Sequence, residues 1–191
     1  MLILEATISD LRSILELQYL AYQKEAEILD DYELDPLKET EEEIEEAFFN
    51  GVILKAIDDL GHIVGSVRAF KKEDTVFIER LIVDPNLTGN GIGSKLLDAA
   101  EKLLPSKRYE FFSSDIISHN LDFFRNNGYK EFKAEFIKPN VRAVYFEKLS
   151  TDSHTILAIS YMHDNKLDLA SKHFEIAKKG NGYGSKYNWE V

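Results

Sequence analysis

Three glycines within five positions, Gly89, Gly91 and Gly93, lie in the stretch VDPNLTGNGIGSKLLDAAEKL, where a strand-like run stops at Pro85 and a helical pattern starts at once. Bare amide N–H groups aimed into a helix N-terminus form a site for anions, and the helix dipole adds to it. Glycine suits such a loop because a phosphate must approach the backbone more closely than a Cβ allows. The same spacing also suits a tight strand-to-helix turn with no ligand at all. Two other phosphate motifs do not fit: no Lys-Ser or Lys-Thr pair follows at P-loop spacing, and no βαβ unit precedes the loop. Upstream, Arg68 and Arg80 each alternate with apolar neighbours, which sets a guanidinium within or beside the sheet. Such a fork matches a carboxylate. Internal pairing with Glu79, Glu25 or Glu27 is the competing role.

The elements that must position these residues follow from periodicity. LILEAT reads as a first strand, and Ser9 or Asp10 as the cap of a helix carrying Leu11, Ile14, Leu15, Leu17 and Ala21. LDDYELDPL reads as a break. Thr40 and Glu43 are spaced as a capping box for a helix whose Ile44, Ala47 and Phe48 form an apolar stripe. VILKAID, HIVGSVRAF and TVFIERLIV follow as strands joined by short turns, and turns that short make the pairing antiparallel. A helix after Gly93, with Ile92, Leu96, Leu97, Ala100 and Leu103 on one face, leads to the strand RYEFFSSD, so that pair is expected to be parallel. NLDFFRNNGY is a short helix stopped at Asn127-Gly128, and KEFKAEFIK with VRAVYFEKL forms a terminal hairpin. The expected fold class is α/β (α+β): a mixed, mostly antiparallel sheet with helices on both faces.

Composition narrows the chemistry. There is no cysteine, so disulfides, thiolate metal sites and cysteine nucleophiles are excluded, and a cytoplasmic setting is the expectation. The five histidines show no metal spacing. A net charge of −11 argues against nucleic-acid binding, which needs clustered Lys and Arg. No apolar run approaches the roughly 20 residues that span a bilayer, and MLILEATISD lacks the basic flank of a secretory signal. The acidic run ETEEEIEE invites a cation-site reading, but carboxylates in a capped first turn complement the helix dipole, and a solvated face is the expectation.

In this setting LIVDPNLTGNGIGSKLL resembles the pyrophosphate loop of the GNAT superfamily of N-acyltransferases, and the element order extends the resemblance over residues 2–148. LQYLAYQKEAEI, IVGSVRAF and FFRNNGYKEF are also similar to segments of that superfamily. The resemblance implies acetyl-CoA as co-substrate, with backbone groups of Leu81, Ile82 and Val83 meeting the pantetheine arm. It further implies that amides of Thr88, Gly89, Asn90, Gly91, Ile92, Gly93 and Ser94 hold the pyrophosphate. By the same resemblance Glu79 is the base that frees an amine, whose ordinary pKa is near 10; pairing with Arg68 or Arg80 is the alternative. Arg68 and Arg80 would face the acceptor, a small-molecule or peptide amine. Three positions depart from the family pattern: Phe124 replaces a proton-donating Tyr, Thr88 an Arg or Gln, and Ile117 an Asn. They raise the alternative of a degenerate domain that binds acyl-CoA or a protein. Tyr129 and Tyr109 are the candidates to replace the missing donor, against ordinary core packing.

Residues 150–191 read as a separate helical extension. Asp152 is its expected cap, two amphipathic stretches run over 153–163 and 166–179, and the tail GNGYGSKYNWEV carries Trp189. Such a segment could cover a sheet edge, pair two copies as a homodimer, or dock another protein.

Overall fold

The computed structural model describes residues 1–150 together with residues 162, 167, 170, 171, 174 and 175. The chain runs β1 (Leu2–Glu5), a 3-10 turn (Ile8–Asp10), α1 (Leu11–Leu29), α2 (Asp35–Lys38), α3 (Glu41–Asn50), β2 (Val52–Ile57), β3 (Ile63–Lys72) and β4 (Thr75–Val83). It continues through α4 (Ile92–Leu103), β5 (Arg108–Ser114), α5 (Ser118–Asn126), β6 (Lys130–Lys138) and β7 (Val141–Leu149). The strands form one sheet in the order β1-β2-β3-β4-β5-β7-β6. Every neighbouring pair is antiparallel except β4 and β5, which α4 joins in parallel. The expected mixed sheet is therefore present. Apart from the six residues named above, the two amphipathic stretches of the C-terminal extension, its cap and its tail lie outside the described residues.

Side chains alternate across the strands, so the sheet feeds two separate cores. Leu54 of β2 belongs to the larger one, with Val67, Ile78, Leu96, Leu97, Ala100, Phe124 and Phe146. Its neighbour Ile53 belongs to the smaller one, with Leu11, Ile14, Leu15 and Ile44. The helix α4 thus covers one face through Ile92, Leu96, Leu97 and Ala100 of the expected stripe, whereas Leu103, expected on the same face, is exposed in the last turn; α1 and α3 cover the other face. Phe70 and Phe77 stack across β3 and β4 with ring centroids 5.2 Å apart, at the end where β4 still pairs with β5.

Two local expectations are corrected. Asp10, one of the two expected caps, is the N-cap residue of α1 but makes no cap bond through its side chain; Thr7 opens the 3-10 turn before it, and the Thr7 N–H donates to Asp10 Oδ2 at 2.7 Å. The same carboxylate accepts from Lys55 Nζ at 2.5 Å, which pins the start of α1 to β2. The stretch LDDYELDPL is not irregular throughout, because Asp35–Lys38 forms one helical turn. Pro36 sits in the first turn, where the missing N–H has no helical partner to lose. The capping box at Thr40 and Glu43 is present as expected: Glu43 N donates to Thr40 Oγ1 at 3.3 Å, and Thr40 N to Glu43 Oε2 at 2.8 Å.

Burial sets a stability expectation. Leu96 is fully buried between α4 and the sheet, whereas Leu60 stands in a turn at 81% exposure. Leu96→Ala is expected to cost roughly 2–5 kcal/mol in urea unfolding, and Leu60→Ala no more than about 0.5 kcal/mol.

Candidate functional site

The parallel pair β4–β5 holds for only three residues, Thr75, Val76 and Phe77 opposite Arg108, Tyr109 and Glu110. Beyond Phe77 the remainder of β4 pairs with β3 alone, and β5 continues against β7. The sheet splits there into a notch, and the edge of β4 from Ile78 to Val83 has no strand on its β5 side. That edge includes the backbones of Leu81, Ile82 and Val83, and buried main-chain donors and acceptors require partners of some kind. The chain leaves the notch through Asp84 and enters the glycine loop.

In the loop, Gly89 and Gly91 adopt φ of +80° and +74°, and a Cβ at either position would meet nothing within 4 Å. These two are glycines for conformation, and the space above them is open. Gly93 is a glycine for another reason: a Cβ there would lie 3.1 Å from the Phe123 ring of α5. Among the described residues, no backbone N–H from Thr88 through Ser94 donates to a protein acceptor; the first bonded amide is Lys95, to Gly91 O at 3.1 Å. The polar side chains turn back onto the loop itself. Thr88 Oγ1 donates to Pro85 O at 3.3 Å, and Asn90 Nδ2 to Leu87 O at 3.1 Å. The loop therefore presents amides, not side chains, at the N-terminus of a three-turn helix.

On the opposite side of the notch, the register of β3 and β4 skips between the pairs Arg68↔Glu79 and Ser66↔Ile82. Arg80 lies in that bulge with φ of +48°. Neighbouring strand residues normally point to opposite faces, but the bulge breaks the alternation. Glu79 shares the face of its partner Arg68, and Arg80 reaches Glu39 on that same α1 face. Glu79 is exposed and its side chain forms no hydrogen bond or ion pair with any described residue, so the internal pairing considered for it is not made.

The counter-ion of both arginines is Glu39, from the acidic run that reads as a solvated face. Arg68 Nη1 donates to Glu39 Oε1, and Arg80 Nε to Glu39 Oε2 at 3.5 Å. Gln18, fully buried on α1, completes the network: its Nε2 donates to Glu39 Oε2 at 2.6 Å and to Pro36 O at 2.8 Å, and its Oε1 accepts from Arg68 Nη2 at 3.0 Å. The Tyr19 hydroxyl donates to the Glu39 carbonyl. Burial alone would raise the Glu39 pKa, but the Arg68 and Gln18 hydrogen bonds with the two guanidinium charges together hold it below the ordinary glutamate value. Glu25 and Glu27 do not pair with either arginine. Beside Arg80, burial pushes the Tyr22 phenol up to about 12, with the guanidinium acting against the rise. Burial also raises Glu25, one turn further along α1.

Neither candidate replacement for the missing tyrosine points into the notch chemistry. Tyr129 is buried and donates to Glu101 Oε1 at 3.0 Å, where Lys148 Nζ also bonds that carboxylate at 2.7 and 2.9 Å. Tyr109 donates to Glu101 O and accepts from Ser106 N, both at 3.1 Å. Phe124 lies in the larger core, stacked on Phe111 at 3.9 Å. Ile117 is likewise buried. No group of three or more His, Cys, Asp or Glu residues suited to a metal occurs among the described residues.

The model of the acetyltransferase (GNAT) family matches residues 11–129, well over half of the chain. The chain belongs to this family. Solved GNAT structures share the fold at low identity. An acetyltransferase of the GNAT family from Staphylococcus aureus Mu50 is 23% identical with a TM-score of 0.62, over 78% of this chain and 98% of the other. The PaiA N-acetyltransferase from Thermoplasma acidophilum, solved with coenzyme A, is 18% identical with a TM-score of 0.66 over the same shares. A ribosomal-protein-alanine N-acetyltransferase from Brucella melitensis is 18% identical with a TM-score of 0.61, over 78% and 99%. No curated protein sequence matches the chain. All three solved neighbours are named as acetyltransferases, so the reading of a non-catalytic GNAT domain gains no support from them.

The Glu39 network makes a stability prediction. Glu39→Gln leaves Arg68, only 6% exposed, without its counter-ion, and breaking a buried pair from one side costs about 3–5 kcal/mol. Because the folded-state pKa of Glu39 is depressed, its contribution is fully present above about pH 4.3 and is lost as pH falls through the lower folded value. Urea unfolding of both proteins is therefore expected to show a large gap at neutral pH that narrows in acid.

Proposed function

We propose that this GNAT protein is an N-acetyltransferase that moves an acetyl group from acetyl-CoA to the nitrogen of an amine, either a small molecule or a peptide. The observation that carries this reading is the run of amides from Thr88 through Ser94 that bond no described residue, beside the edge of β4 that no described strand covers. Those amides would hold the pyrophosphate, and the glycines give it room. The open edge at Leu81, Ile82 and Val83 would pair with the amide groups of the pantetheine arm, as an added strand pairs with a sheet edge. The acetyl thioester supplies an activated carbonyl for attack by nitrogen.

Glu79 would take the proton that the attacking amine must lose, directly or through water. Support comes from its place on the splayed part of β4, its exposure and its freedom from internal partners. With Phe124 in place of a donor, the departing thiolate would be protonated by water. A positioned acid is worth roughly 10²–10⁴-fold, so its loss slows turnover without preventing it. The cysteine-free composition supports a cytoplasmic location.

Thiol release from acetyl-CoA, followed across a panel of amines, tests the reading. Glu79→Gln is expected to lower kcat by roughly 10²–10⁴-fold while leaving acetyl-CoA affinity unchanged. An unaltered kcat would remove Glu79 as the base, and no thiol release with any amine would count against transfer itself.

A further inference from the structure

The arginine network keeps donors that it does not use. Arg68 and Arg80 share the carboxylate of Glu39 on the α1 face of the notch, where Glu79 stands as a further carboxylate. Both guanidinium groups keep donors that Glu39 does not take. Arg68 Nε is buried with no hydrogen-bond partner among the described residues. Arg80 gives Nε to Glu39 and hydrogen-bonds the Tyr22 side chain, and its terminal nitrogens donate to no described carboxylate. Its side chain is 25% exposed, against 7% for Arg68, so Arg80 is the one that can be reached.

The arrangement is braced from behind. Glu39 is fixed by Gln18 and by the Tyr19 hydroxyl, and Gln18 also ties Arg68 to α1. A guanidinium held at Nε retains terminal N–H donors besides the one facing Tyr22, and a planar two-point contact is the geometry in which arginine binds a carboxylate best. The bulge then sets Arg80 on the same face as Glu79. Consecutive residues on a regular strand would face opposite sides, yet here an unpaired carboxylate and a braced guanidinium share one side of the notch. An ammonium would be drawn to the first and a carboxylate to the second.

We propose that the acceptor is an amine that also carries a carboxylate, an amino acid or a close relative, with Arg80 binding the carboxylate and Arg68, through Glu39, positioning Arg80. This rests on the acetyltransferase reading and deepens it by naming the substrate class. It runs against the net charge of −11, which would favour polycationic amines; at the notch a guanidinium and a carboxylate lie on one face, which suits a molecule carrying one group of each sign.

Two measurements test it. In the first, thiol release is compared for matched acceptors, each amino acid beside its primary amide and its decarboxylated amine. The expected result is at least one acid preferred 10-fold or more in kcat/KM, chiefly through KM, with the preference abolished in Arg80→Ala and only partly restored in Arg80→Lys. Equal or better transfer to the carboxyl-free partners would overturn the proposal while leaving acetyl transfer established. The second measurement needs no turnover. N-acetylalanine, N-acetylphenylalanine and N-acetyllysine, each with its amide, are titrated into the CoA-saturated protein and into Arg80→Ala. Tighter binding of an acid than of its amide, lost in the variant, supports the subsite even if the transfer reading fails. Equal affinity, no binding of either, or a preference that survives in Arg80→Ala overturns it.

Discussion

Everything at this site depends on where two parallel strands stop pairing. The β4–β5 ladder ends at Phe77, and the next six residues of β4 are held from one side only. A closed sheet at this point would bury the edge of Leu81, Ile82 and Val83 and leave no way through between its two faces. The split creates a cleft with the glycine loop at one face and the Arg68–Glu39–Arg80 network at the other. The sheet tolerates it because β5 is secured along its full length by β7, and β4 by β3 and α4.

The two sides of the cleft are built on different physics. On the α4 side the charge is carried by backbone dipoles, which need no counter-ion and cannot be titrated. On the α1 side it is carried by guanidinium groups, which must be stabilised by a buried carboxylate and cost the fold dearly if that carboxylate is removed. Glu39 reaches across from the α2–α3 junction to do this, so a short helical turn with no buried residue of its own becomes essential to the interior. Polar bonds from Gln18 and Tyr19 fix that junction where apolar packing does not.

Much of this was legible in the sequence because it is written in local periodicity. The runs TVFIERLIV, KEFKAEFIK and VRAVYFEKL give β4, β6 and β7 with their observed limits, and the stripe from Ile92 to Ala100 gives α4 and its buried face. The glycine loop was legible through the same logic, as a break between two periods. What was hidden depends on contacts between distant residues. Nothing in ETEEEIEE separates Glu39 from the solvated acids that follow it; the only hint was that two arginines in apolar strands require a buried anion. The bulge at Arg80 carries no glycine to announce it, although φ is positive there. The early end of the β4–β5 ladder leaves no mark in the sequence, since both strands run on past the split as strands paired on their other sides.

The central claim is that the amides of Thr88 through Ser94 bind the pyrophosphate of CoA at the mouth of this cleft. Backbone amide resonances recorded while acetyl-CoA is added test it most directly, with ADP as a control for the diphosphate alone. The account predicts that both ligands shift Thr88 through Ser94 most strongly, and that only acetyl-CoA extends the change to Leu81, Ile82 and Val83. Saturating ligand that leaves the loop amides unmoved, or that shifts a different surface, would contradict it.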